Sequence, residues 1–216
     1  MVEAGELRTV RLVQVEYVQG GKADENKVFP AGYWKFDPSR GGPSLVMGDI
    51  GSARTQLTRF ITGLEIDEVS AEIGAIVPKR LVHDFGGAML RFNNGARGSF
   101  WVTQAAAGVE NCLRIRVSGT KGSLEWMQEI PQALTFKPLG APSENRTPNG
   151  PGTLPLSARC TRLVAGASRR VPRWFCKYLF RCRRSHRRTT RWKTSRPACV
   201  VLPEFIRWFD GRALCG

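Results

Sequence analysis

Apolar and polar residues alternate most regularly between residues 84 and 128, in the segment DFGGAMLRFNNGARGSFWVTQAAAGVENCLRIRVSGTKGSLEWMQ. Met89, Leu90 and Phe92 lead into Asn93-Asn94-Gly95, residues that tolerate the positive φ of a tight hairpin turn, and the chain returns through Ser99, Phe100, Trp101 and Val102. Leu113, Ile115 and Val117 then alternate with Arg114, Arg116 and Ser118, which turns one face to a core and the other to water. Gly119-Thr120-Lys121-Gly122 reverses the chain into Leu124 and Trp126, completing an antiparallel meander.

Upstream, residues 7–19 (LRTVRLVQVEYVQ) form a further strand whose alternation slips phase once between Leu12 and Val13, a slip that a β-bulge absorbs. Gly48-Asp49-Ile50-Gly51-Ser52 opens a helix that runs to about Gly63, with Leu57, Phe60 and Ile61 on one face. Asp67 to Val77 reads as another strand, Pro78-Lys79-Arg80 as a turn, and Leu134 with Phe136 as a short edge strand. The predicted fold is α+β: an open, largely antiparallel sheet of about six strands, the helix of residues 49–62 against one face, then an irregular basic tail.

Charge divides the chain. Residues 157–216 hold sixteen of the 33 Lys and Arg against Glu204 and Asp210, so +14 of the net +15 lies there, together with Cys160, Cys176, Cys182, Cys199 and Cys215. Residues 138–157, rich in Pro, Gly, Ser and Asn, separate the two compositions. The domains expected are therefore 1–140, a linker at 141–157, and a basic Cys/Arg/Trp-rich tail at 158–216, read as disordered. Neither a secretory signal after Met1 nor an apolar run of membrane-spanning length is visible, so a cytoplasmic protein that does not enter the membrane is expected. Cys182 and His186 lack the spacings usual for zinc, and no metal site is assigned.

GELRTVRLVQVEYVQG, GDIGSARTQLTRFITGLEIDEVSAEI, LRFNNGARGSFWVTQ and LRIRVSGTKGSLEW, in that order, resemble the C-terminal domain of the Gfo/Idh/MocA oxidoreductases, the family of glucose-fructose oxidoreductase and inositol dehydrogenase. The resemblance covers residues 1 to about 140. It implies NAD- or NADP-dependent oxidation of a sugar or polyol hydroxyl, by a homo-oligomer associating through the sheet face. In the family a Rossmann domain with a Gly-rich phosphate loop and a Glu-Lys-Pro motif precedes this domain. No such loop is present here, since Gly20-Gly21 has the wrong spacing and is followed by Asp24, Glu25 and Lys27. The expectation is a chain truncated at its N-terminus that binds no dinucleotide alone.

The family writes Asp-x-Gly-x-His at the helix start, where the aspartate binds substrate and the histidine takes the hydroxyl proton. Asp49 and Gly51 match, but the histidine's place is Ala53, whose methyl group cannot accept a proton. Asp49 is thus either a substrate ligand or an ordinary helix N-cap. Trp34 and Lys35 lie in a loop that reaches over substrate in the family, where an aromatic and a basic residue are common. The alternative is that Trp34 packs under its own loop. No confident catalytic residue remains, and His83, in a turn beside Asp84, reads as an exposed loop histidine.

Three functions follow: an oxidoreductase fragment inactive alone, a non-catalytic association module, or a nucleic-acid binder acting through the tail. In RRVPRWFCKYLFRCRRSHRRTTRWKTSRP, arginines interleave with Trp174, Phe175, Tyr178 and Trp192, which suits non-specific phosphate contact and base stacking. A disordered segment or a frameshift would leave the same composition. Codons can be chosen for Trp174 to Ser185 that, read one base later, spell GFANIYSDVAEA, similar to the amphipathic helix the family carries after about residue 157.

Overall fold

The computed structural model describes residues 1–27, 33–148 and 150–153. The expectations for the tail, including its disorder, the nucleic-acid contacts and the shifted reading frame, lie outside the described residues.

Eight strands form one open sheet: β1 (Val10–Val18), β2 (Ile66–Gly74), β3 (Phe85–Phe92), β4 (Arg97–Thr103), β5 (Cys112–Gly119), β6 (Gly122–Met127), β7 (Leu134–Pro138) and β8 (Glu144–Arg146). Their order across the sheet is β2-β3-β4-β1-β5-β6-β7-β8. Every pairing is antiparallel except that of β1 with β4, which is parallel and runs from Leu12 opposite Arg97 to Val18 opposite Thr103. The phase slip read in β1 is a register shift between Val10 and Leu12 against β5, and it turns Val10, Val13 and Val15 to the core while Leu12 faces out. Gly95, at φ +83°, closes the β3–β4 hairpin.

After a single turn of helix, α1 (Pro38–Gly41), the inner face is covered by α2 (Ser52–Thr62) and by the segment leading into it, which passes through a turn of π-helix at Met47–Gly51. Val46, Met47 and Ile50 are buried there, and Leu57 and Ile61 pack against the buried core cluster to which the sheet contributes Val13, Phe100, Val102 and Leu113. Gly63, at φ +68°, ends α2 in the left-handed conformation and donates its N–H to Arg59 O at 2.8 Å. Phe60 departs from the predicted face and is 52% exposed. At 100° per residue it lies beyond the stripe that Leu57 and Ile61 share.

The sheet is wider than expected, eight strands in place of about six, and β7 is not its edge. Residues 144–146, read as linker, form β8, with Leu134 opposite Arg146 and Phe136 opposite Glu144. A three-residue polar strand has no alternation to read, because backbone pairing and the Arg146 side chain hold it. The Arg146 guanidinium reaches Glu6 at 3.1 Å and lies 5.0 Å from the Phe136 ring centroid. Among the described residues no helix is long and apolar enough to cross a membrane.

Candidate functional site

Strands β1 and β4 end side by side, and the chain beyond each continues the pairing. Gln19 N–H donates to Thr103 O at 2.9 Å, and Lys22 N–H to Gln104 O at 3.0 Å. Gly20 sits so close to the segment after β4 that a Cβ there would stand 2.4 Å from Ala106 O and 2.8 Å from Val109 O. Only glycine permits that approach, and the approach delivers Lys22 to the helix entrance.

The π-helical turn brings Asp49 to the same place from the inner face. Its carboxylate lies between two ammonium groups, Lys22 Nζ at 3.3 Å on Oδ2 and Lys35 Nζ on Oδ1, and accepts from Gln104 Nε2 at 3.0 Å. Gln104, itself buried, accepts from Lys22 Nζ through Oε1 at 2.6 Å and donates through Nε2 to Gln19 Oε1 at 3.0 Å. From Gln19 Nε2 the hydrogen bonds run on to Asn111 Oδ1 and the Tyr17 hydroxyl, and that hydroxyl also donates to Asn111. The result is a connected polar network that joins the ends of β1 and β4 to the entrance of the helix. Connection matters because each group held in a fixed orientation presents its remaining donors and acceptors to a ligand without reorganisation.

Burial pushes the Asp49 carboxyl up, but the hydrogen bonds from Lys35 and Gln104 and the charges of both lysines outweigh it and hold it below the usual carboxylate range. Burial pushes the Lys22 ammonium down. Asp49 draws it back only in part, since the charges of Lys35 and Arg80 act in the same sense as burial. Arg80 lies 5.1 Å from the Phe36 ring centroid, with Lys22 Nζ 6.0 Å from the same ring, so the three cations share one neighbourhood.

Of the residues singled out from sequence, Asp49 and Lys35 meet directly. Asp49 is no N-cap, since it lies inside the helical turn and its carboxylate points to side chains. Trp34 is 49% exposed, with Lys35 Nζ 5.7 Å from its ring centroid, and is not packed beneath its loop. Ala53 stands about one turn along the helix from Asp49. His83 is half-buried, and its backbone holds the loop before the helix, donating to Pro43 O at 2.9 Å and accepting from Val46 N at 3.2 Å. Lys22, Gln104 and Gln19 escaped the sequence reading. Their one local signal is Gly20, whose need for close approach becomes visible only once β4 lies beside β1.

A family profile described as the GFO/IDH/MocA C-terminal domain matches residues 1–125. The chain belongs to the Gfo/Idh/MocA family. Among relatives of this family, the chain is 30% identical over 148 residues to an uncharacterized oxidoreductase, YfiI, of Bacillus subtilis, which covers 67% of this chain and 38% of that protein. The match to levoglucosan dehydrogenase of Pseudarthrobacter phenanthrenivorans is 28% over 152 residues, 59% of this chain and 37% of the enzyme. The chain therefore spans less than half the length of these Gfo/Idh/MocA relatives. In three dimensions it resembles an oxidoreductase from Sinorhizobium meliloti, at 35% identity and a TM-score of 0.68 over 83% of this chain and 47% of that one. It also resembles an inositol dehydrogenase homolog from Azotobacter vinelandii solved with NAD+, at 27% and 0.74 over 82% of this chain and 46% of that one.

Proposed function

We propose that this domain supplies the substrate side of an NAD(P)-dependent sugar or polyol dehydrogenase. The observation that carries the reading is Asp49, held ionised between Lys22 and Lys35 and tied through Gln104 to a chain of carboxamides. A polyol offers hydroxyls that both donate and accept. A carboxylate, two ammoniums and fixed carboxamides match that alternation, while the exposed Trp34 ring suits the C–H face of a sugar.

Chemistry needs more than this site provides. Oxidation of an alcohol sends a hydride to the nicotinamide and a proton to a base, and Ala53 supplies no base. The chain alone is accordingly inactive, and dinucleotide binding and turnover belong to partner structure outside the matched domain. Support comes from the relative solved with NAD+, of which this chain matches 46%. We further propose that the domain self-associates through the outer sheet face, where Leu12, Met89 and Trp101 are all more than half exposed.

The test is a pair of titrations on the full chain. myo-Inositol or D-glucose is expected to move the amide resonances of residues 19–22, 49 and 104, and Asp49→Ala to abolish the shifts. NADH fluorescence is expected to stay unchanged, because micromolar binding requires about 8 kcal/mol of contacts. Micromolar NADH affinity, or sugar-induced shifts that survive Asp49→Ala, would overturn the assignment.

A further inference from the structure

We infer that the Asp49 site is built for a polyol that carries its own carboxylate, an aldonate or a uronate, in preference to a neutral sugar. The inference rests on the substrate-domain reading above and narrows it. Two ammoniums share one carboxylate: Lys22 and Lys35 both pair with Asp49, and the adjacent guanidinium of Arg80 is already balanced by Asp84 at 3.0 Å. One positive charge is left over, in a setting where the Lys22 side chain is only 12% exposed. A partly buried cation without its own counter-ion is costly, and an incoming anion removes that cost.

Hydrogen-bond capacity points the same way. An ammonium has three N–H groups. On Lys22, Asp49 Oδ2 and Gln104 Oε1 take two of them, and on Lys35, Asp49 Oδ1 takes one. The remaining donors are charged, and an ammonium facing a carboxylate adds the attraction of opposite charges to the hydrogen bond, which a hydroxyl cannot supply. Ala53 adds to the bias, since its methyl group offers a neutral hydroxyl no acceptor. Trp34, half-exposed beside Lys35, lies where a sugar ring can stack with its carboxylate turned to the lysines. The depression of Lys22 by burial, Lys35 and Arg80 is what an ammonium short of anionic partners shows.

The experiment compares D-glucuronate with D-glucose on isotopically labelled full chain, following amide and lysine side-chain resonances at Lys22, Lys35, Asp49 and Gln104. Glucuronate is expected to bind at least about tenfold more tightly, a gap of the size one charge-assisted contact supplies. Lys22→Gln is expected to weaken glucuronate binding by a larger factor than it weakens glucose binding, and so to close most of that gap. Lys22→Arg, which keeps the charge, is expected to preserve the preference and so separates charge from loss of fold. Equal affinities, tighter glucose binding, or glucuronate shifts confined to the arginine-rich residues beyond 157 would overturn the inference and leave the substrate-domain reading standing. If neither sugar binds, both fall.

Discussion

Replacing Asp84 by asparagine is expected to destabilise the domain by about 3–5 kcal/mol. The Asp84 side chain is fully buried. Its Oδ1 accepts from Ile76 N at 2.8 Å, and its Oδ2 from Val77 N at 3.2 Å and from Arg80 Nη1 at 3.0 Å. Asparagine keeps one carbonyl acceptor and turns an amide into the remaining donors, so at least one bond to a charged acceptor is lost, worth roughly 1.5–3 kcal/mol. The Arg80 guanidinium, itself 6% exposed, is left buried without a counter-ion, which brings the total into the range measured for broken buried pairs. Against the 5–15 kcal/mol typical of a folded domain, the loss is a large fraction. Urea denaturation of the full chain measures it. Arg80→Met combined with Asp84→Asn is expected to recover part of the loss, because the unpaired cation goes with it, and the non-additivity is the signature of a coupled pair. A single-variant cost below about 1 kcal/mol, or strict additivity, would show that the geometry around Asp84 is not what holds the 76–80 turn.

On the outer face, Glu125 accepts from Arg114 and Arg116 and lies 3.4 Å from Lys137; burial pushes its carboxyl up, but the two arginines hold it down to about 2 from the ordinary 4.5. A depressed carboxyl stabilises above its unfolded value and loses that contribution as pH falls from 4.5 towards 2, so Glu125→Gln is expected to flatten the acid limb of stability. After allowance for solvent screening, the effect is about 1 kcal/mol, and unfolding free energies measured between pH 2 and pH 6 that keep the wild-type slope would contradict it. Self-association through the outer face predicts that Trp101→Ser and Met89→Ser together lower the sedimentation coefficient of the full chain, and a wild-type chain that sediments as a compact monomer at high concentration refutes it.

Much of the fold was legible because each strand states its own facing. Leu113, Ile115 and Val117 declare one side of β5 without reference to any other strand, and even the bulge in β1 shows as a broken alternation. What stayed hidden depends on partners distant in sequence. Phe100, Trp101 and Val102 look like one apolar patch on paper, yet Phe100 and Val102 turn inward at 4% and 0% exposure and only Trp101 faces out. The parallel pairing of β1 with β4 leaves no mark in either strand. The same distinction divides the site: Asp49 and Lys35 carry a family pattern, whereas Lys22 and Gln104 are ordinary polar residues until the strand ends bring them within 2.6 Å.

The place of β1 in the sheet also governs how the domain can be assembled. Two meanders, β2-β3-β4 and β5-β6-β7-β8, are each built from neighbours in sequence, but they meet only through β1. Leu12 must wait for Arg97 and Val18 for Cys112 before either seam can zip. Closing such loops costs entropy before any contact repays it, so β1, which precedes the other seven strands in sequence, is among the last to be secured. Until then each half exposes an unpaired edge, at β4 and at β5, and during that interval the nascent chain is most open to pairing with the wrong partner.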